Sequence, residues 1–217
     1  MTKTRGIVGI EAAIVLIAFV IVASALAFVA LNMGMFTAQR SKEVMGQALS
    51  EASSALEVDG SVFAYVNETG KVSAIYVPLK ISPGQQAVDL SKDKVDVVVR
   101  LPSGTFGKVN GENPKIVSGP VNYTYLHVLV SEGLSDQKKI NATFFFVQSL
   151  QNNEETPASR VLELGEKAVL VISLYTDLEL SPYERFVIEI RPLAGAPLTI
   201  ERVIPPTLPL GETVNLI

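Results

Sequence analysis

Side chains able to do chemistry are few in this chain and lie far apart. Cysteine is absent and histidine occurs once, at His127, which excludes thiolate catalysis, disulfide scaffolds and Cys/His zinc sites. A Ser-His-Asp triad would have to use His127, yet no G-x-S-x-G turn is present to expose a serine beside it. Between Tyr125 and Leu129, on one face of an expected strand, His127 reads as a packed or surface residue. Asp89, Asp93 and Asp96 are spaced by four and three, but a loop running into a strand does not gather them on one face. Glu154 and Glu155 follow Gln151, Asn152 and Asn153 in a polar loop. Neither acidic group matches a calcium-binding loop, so both are expected as solvated surface, and no metal or cofactor is implied. The formal charge of −4 and a pI near 5.1 argue against a nucleic-acid binder, which carries a basic face. The chain reads as no enzyme.

What remains is chemistry done to the chain. Three sequons occur, Asn67-Glu68-Thr69, Asn122-Tyr123-Thr124 and Asn141-Ala142-Thr143, each an acceptor for an N-linked glycan if it reaches an extracellular surface. Asn67 sits in an expected hairpin turn, Asn67-Glu68-Thr69-Gly70, and is expected to be the most accessible. Near the N-terminus, Glu11 stands alone inside an apolar run. It reads either as a carboxylate solvated at the lipid headgroups or as an assembly residue. The second reading requires cleavage between Gly6 and Ile7, which gives Ile7 a new ammonium four residues before Glu11. In a staggered bundle that carboxylate would pair with a neighbour's amine, and an unpaired charge there would be costly, so the pair would set axial register.

The element that must position Glu11 dominates the composition. Of 217 residues, 48% are hydrophobic, and the excess is concentrated between Ile7 and Phe36. Without that block the apolar share is about 42%, ordinary for a globular domain. The uncharged run from Ala12 to Gln39 exceeds the roughly 20 residues that a bilayer-spanning helix needs. Lys3 and Arg5 would hold its start on the cytoplasmic side. Ala23-Ser24-Ala25 resembles a signal-peptidase site, but Glu11 interrupts the leader and apolar residues continue to Phe36. Beyond the run, Met45, Leu49, Ala52 and Leu56 recur at four, three and four, one stripe of an amphipathic helix. A single helix over 7–56 would be about 75 Å long. Apolar all round at one end and striped at the other, it suits a bundle with copies of itself.

After Leu56 the period falls to two. Phe186, Ile188 and Ile190 alternate with Arg185, Glu189 and Arg191; Val95, Val97, Val99 and Leu101 alternate with Asp96 and Arg100. Further strands are expected at 61–66, 72–81, 121–131, 140–148, 167–176 and 198–204, with a short one at 213–217. Turn signals at Pro83-Gly84, Asn110-Gly111, Gly119-Pro120 and Pro205-Pro206 separate them. Eight or nine strands and no second helix imply an α+β chain whose residues 57–217 form an antiparallel β-sandwich, immunoglobulin-like in architecture. Phe144-Phe145-Phe146-Val147 is apolar on both faces. It reads as a central strand covered on both sides, with a lateral subunit contact as the alternative.

Arg5-Gly6 followed by Ile7-Val8-Gly9-Ile10-Glu11-Ala12-Ala13-Ile14-Val15-Leu16-Ile17-Ala18-Phe19 closely resembles the start of archaellins, the flagellins of archaea, within the type IV pilin-like class. Pro182-Tyr183-Glu184-Arg185-Phe186-Val187-Ile188-Glu189-Ile190-Arg191-Pro192 and Ala196-Pro197-Leu198-Thr199-Ile200-Glu201-Arg202 are similar to the C-terminal part of that family. Residues 60–165 carry no family motif. The resemblance implies that residues 1–6 are a leader cut after Gly6 by a membrane peptidase on the cytoplasmic side. It also implies transient membrane insertion, export by a membrane assembly machinery, and polymerisation into an extracellular helical filament for swimming. An archaeal adhesion pilin and a membrane-anchored binding domain that never polymerises are the alternatives.

Overall fold

The computed structural model describes residues 5–53, 56–117, 123–131, 139–148, 160–193 and 195–216. The chain divides into two compact units, Met1–Leu49 and Ser50–Ile217.

The first unit is helical. Helix α1 spans Arg5–Ser53 without a break. It contains no proline, and Gly34 and Gly46, each costing about 1 kcal/mol relative to Ala, do not interrupt it. Ser24 and Thr37, which could compete with the helix, instead donate their hydroxyl protons back to the carbonyls of Val20 (2.7 Å) and Met33 (2.8 Å). The helix stops short of the expected Leu56. That residue is only 5% exposed and opens strand β1 (Leu56–Val58), where it pairs with Ile81. The stripe read on to Leu56 therefore overshoots, because the sandwich core captures this side chain.

The second unit is strand-rich. In chain order it contains β1, β2 (Val62–Val66), β3 (Val72–Ile81), β4 (Val88–Asp89), β5 (Val95–Leu101), β6 (Gly104–Phe106) and β7 (Lys115–Ile116). There follow α2 (Tyr123–Ser131), β8 (Ile140–Gln148), β9 (Val161–Leu162), β10 (Lys167–Leu174), β11 (Arg185–Pro192), β12 (Leu198–Val203) and β13 (Thr213–Leu216). A seven-stranded sheet runs β13-β2-β3-β10-β8-β7, with β1 on β3; a four-stranded sheet runs β12-β11-β5-β6; β4 and β9 form a ribbon. All pairs are antiparallel except β7 with β8, where Lys115 and Ile116 lie parallel to Phe145 and Phe146.

The sheets face each other across one core. Ile75, Phe144, Phe146 and Leu170 from the large sheet meet Val97, Val99, Ile188 and Ile190 from the small one. An α+β chain with a long N-terminal helix and an antiparallel sandwich is thus what the structure shows. The sheets are larger than the four-plus-three arrangement of a constant-type immunoglobulin domain.

One expected strand is a helix. Residues 123–131 form α2, so the chain has a second helix. Leu126 and Val130, four apart, are buried with Tyr76, Phe145, Val169 and Val171 on the second face of the large sheet. An apolar sheet face needs a cover, and a helix with one apolar side provides it. This also explains the run at Phe144–Val147. Phe144 and Phe146 point into the sandwich and Phe145 points toward α2, all three at most 1% exposed. The covered central strand is the correct reading, and no lateral contact is needed to bury it.

Candidate functional site

The surface that most needs an explanation is that of α1. Every described side chain from Gly9 to Gly46 is exposed. Phe19 is 72% exposed, Leu31 74% and Phe28 66%, and these side chains occur all around the helix. Burying one such side chain is worth about 1.5–3 kcal/mol. Left in water, the helix would carry an unfavourable surface far beyond the few hundred Å² of apolar patch that soluble monomers tolerate. The segment Gly9–Gly46 is long and apolar enough to cross a membrane. Toward its polar end, Arg40 pairs with Glu43 at 3.2 Å and stands 5.5 Å from the Phe36 ring centroid, a solvent-tolerant arrangement.

The structure places the N-terminal candidates on this helix. Arg5, Gly6 and Ile7 are helical, and Glu11 is exposed one turn beyond Ile7. Residues 1–4 of the expected leader lie outside the described residues.

The three sequons fall in unlike environments. Asn67 follows β2 in the turn to β3, with Gly70 at φ 77° completing the turn. It is half-buried, and both its oxygen and its nitrogen are hydrogen-bonded. Oδ1 accepts from the Thr69 amide (3.0 Å), the Thr69 hydroxyl (2.6 Å) and the Lys71 amide (3.0 Å). Nδ2 donates to Glu179 Oε1 at 2.8 Å. The hairpin turn is as expected, but Asn67 is less open than its loop position implies. Asn122 lies outside the described residues.

Asn141 requires a correction. It is 1% exposed and donates from Nδ2 to the carbonyl of Val130 on α2 at 3.0 Å, while Thr143 is 0% exposed. Both face α2, so a glycan on Asn141 does not fit the folded sandwich. Reading 121–131 as a strand hid this cover. The cover is set by the apolar second face of the large sheet, which no local spacing announces.

The remaining candidates do not converge. Asp89 Oδ1 accepts from the amide and hydroxyl of Ser91 at 2.9 and 2.6 Å, a local turn. Among the described residues no group of three His, Asp or Glu is placed to hold a metal. Residue 127 is on α2 with its side chain outside the described set, as are Glu154 and Glu155. Two carboxylates of the sandwich are each held by two cations. Asp59 takes Lys167 at 2.6 Å and Lys80 at 3.5 Å. The Lys167 ammonium holds the Asp59 carboxyl below the usual carboxylate range. Arg191 (2.8 Å) and Arg100 (3.2 Å) flank Glu189, and the Arg191 hydrogen bond lowers its pKa.

A helix exposing apolar residues all round, joined in one chain to a sandwich with a closed core, defines a class: a subunit whose helix is covered by lipid or by other chains. Comparison with known proteins gives the family. A profile of archaeal-type flagellin matches residues 6–202. The probable flagellin 1 of Aeropyrum pernix is 50% identical over 222 residues, covering 100% of both chains. The probable flagellin 1 of Archaeoglobus fulgidus is 28% identical, covering 96% of this chain and 94% of that one. Among solved structures, the archaeal flagellum of Methanospirillum hungatei strain JF1 has the same fold, with a TM-score of 0.64 at 24% identity over 96% of this chain and 98% of that one. Archaeal flagellin FlaB1 from Methanocaldococcus jannaschii aligns with a TM-score of 0.56 at 14% identity, over 75% of this chain and 96% of that one. The chain belongs to the archaeal-type flagellins and is a structural subunit of the extracellular archaeal flagellar filament.

Proposed function

We propose that α1 is used twice, first as a membrane span and then as the shared core of a filament of identical or related subunits. Before assembly the apolar run lies in the cytoplasmic membrane, with Lys3 and Arg5 on the cytoplasmic side. A leader peptidase cuts between Gly6 and Ile7, and the membrane assembly machinery moves the subunit out of the bilayer. Neighbouring helices then replace lipid around Phe19, Leu31 and the rest of the apolar surface. Glu11 pairs with the Ile7 ammonium of a neighbour and sets axial register. The observation that carries this reading is the unbroken exposure of α1 from Gly9 to Gly46.

Glycans, where present, are placed on Asn67 and Asn122. At Asn67 a linked sugar leaves one N–H on Nδ2, enough to keep the bond to Glu179.

The N-terminal residue of the extracellular protein tests the sequence of events. Ile7 is expected. Leu26 or Phe28 would point to a conventional signal peptide, and Met1 or Thr2 to an uncut anchor; any of these overturns the proposal.

A further inference from the structure

Between Ala12 and Ala38, three side chains of α1 carry an N–H or O–H group: Ser24, Asn32 and Thr37. Two of them satisfy their donors at home. The Ser24 and Thr37 hydroxyls each spend their single proton on a carbonyl four residues back, at 2.7 and 2.8 Å. Each keeps lone pairs facing outward. Asn32 is different in kind. A carboxamide has two N–H donors and an acceptor oxygen, and among the described residues none is hydrogen-bonded to it. Water meets that need on an isolated helix.

In a bundle that water is lost and a new partner is needed. An amide buried without one is destabilising, because its water hydrogen bonds are lost and not replaced. Asn32 is flanked on both sides by side chains that need burial, Leu31 at 74% and Met33 at 64% exposed, so packing the helix takes Asn32 inside with them. At about 1.5 Å per residue, Asn32 lies roughly 37 Å from Ile7. That is beyond a hydrocarbon core of about 30 Å, so the carboxamide reaches the headgroup level before assembly and loses water only when subunits pack. Gly34, two residues on, has nothing within 4 Å of the position a Cβ would take, and small residues let helix backbones approach closely.

We propose that Asn32 is the residue through which α1 hydrogen-bonds to a second copy of this chain, its carboxamide donating to a hydroxyl or backbone carbonyl oxygen of the neighbouring helix. The surplus donors of Asn32 match the surplus acceptors that Ser24 and Thr37 leave outward. A polar pair inside an apolar seam is satisfied at few axial offsets, so it selects register while apolar contacts supply most of the stability. This rests on reading α1 as the shared filament core.

The test uses full-length protein assembled into filaments and reconstructed by electron microscopy, for the unmodified chain, Asn32→Leu and Asn32→Gln. In the unmodified filament the Asn32 carboxamide is expected within hydrogen-bond distance of an oxygen of another copy. Asn32→Leu is expected to give segments that sort into more than one helical symmetry, or no filament, while Asn32→Gln, which keeps the amide, retains a single symmetry. Asn32→Leu filaments with the unmodified symmetry and dissociation temperature would overturn the proposal. So would an unmodified filament in which Asn32 meets only solvent or its own helix. A chain that forms no filament even unmodified is a separate failure, since it removes the shared core and the Asn32 contact with it.

Discussion

Phe144 and Ile188 in the sandwich are completely buried by their own chain, whereas Phe19 and Leu31 in α1 are more than 70% exposed. The two regions are built from the same apolar residue types, so hydrophobicity alone does not separate them. Chain geometry does. A strand with period two turns one face inward, and a second sheet from the same chain covers it. A helix that is apolar around its whole circumference has no inward face, and one sandwich cannot enclose it. Such a helix is completed by lipid or by other helices. The sandwich is therefore a folding unit in the usual sense, whereas α1 leaves its apolar surface to be covered from outside the chain.

The largest effect separating the two regions should come from charging the helix. Val20→Asp places a carboxylate in the middle of the apolar run, where burial without a partner costs several kcal/mol. Filament yield is expected to fall to nothing, with the thermal unfolding of the sandwich unchanged. A parallel loss of sandwich stability would break the comparison.

A smaller effect, in the other region, follows from Phe144→Ala. Truncating this fully buried ring should cost about 3–5 kcal/mol in denaturant unfolding of the sandwich, measured by near-ultraviolet circular dichroism. The helical signal of α1 in detergent should not change.

The smallest expected effect concerns pH. Asp59 and Glu189 have lowered pKa values through their Lys167 and Arg191 partners. A depressed carboxylate stabilises the folded state above its unfolded pKa and loses that contribution as pH falls through the folded value. Sandwich stability should therefore drop below about pH 4, and Asp59→Asn should blunt the drop by under about 1 kcal/mol, as for other exposed pairs. Acid unfolding of Asp59→Asn that matches the unmodified protein would remove Asp59 from the account.

Strands β5 and β11 were legible because Val-Asp-Val and Ile-Glu-Ile alternations state both the element and its buried face. The helix was legible because nothing between Ala12 and Gln39 could break it. The segment 121–131 was not legible, because Tyr125, Leu126, Val128, Leu129 and Val130 fit a period of two and a period of 3.6 equally well. Only the bare second face of β8 and β10 decides between them, and that face is a tertiary fact. The same gap misled the reading of Asn141, whose accessibility depends on α2 lying over it. Asn67 shows the reverse: the turn was visible in Asn-Glu-Thr-Gly, but its lock onto Glu179, 112 residues away, had no local sign. The short strands β4, β7 and β9 are two residues each, too brief to show any period.

Because the chain lacks cysteine, introduced thiols report accessibility without background. Val20→Cys and Glu68→Cys, each assembled into filaments freed of lipid, can be treated with a water-soluble maleimide. The account predicts rapid labelling at position 68 and protection at position 20, with the protection lost when the filament is dissociated. Equal labelling of both positions in intact filaments would contradict the claim that α1 forms the shared core.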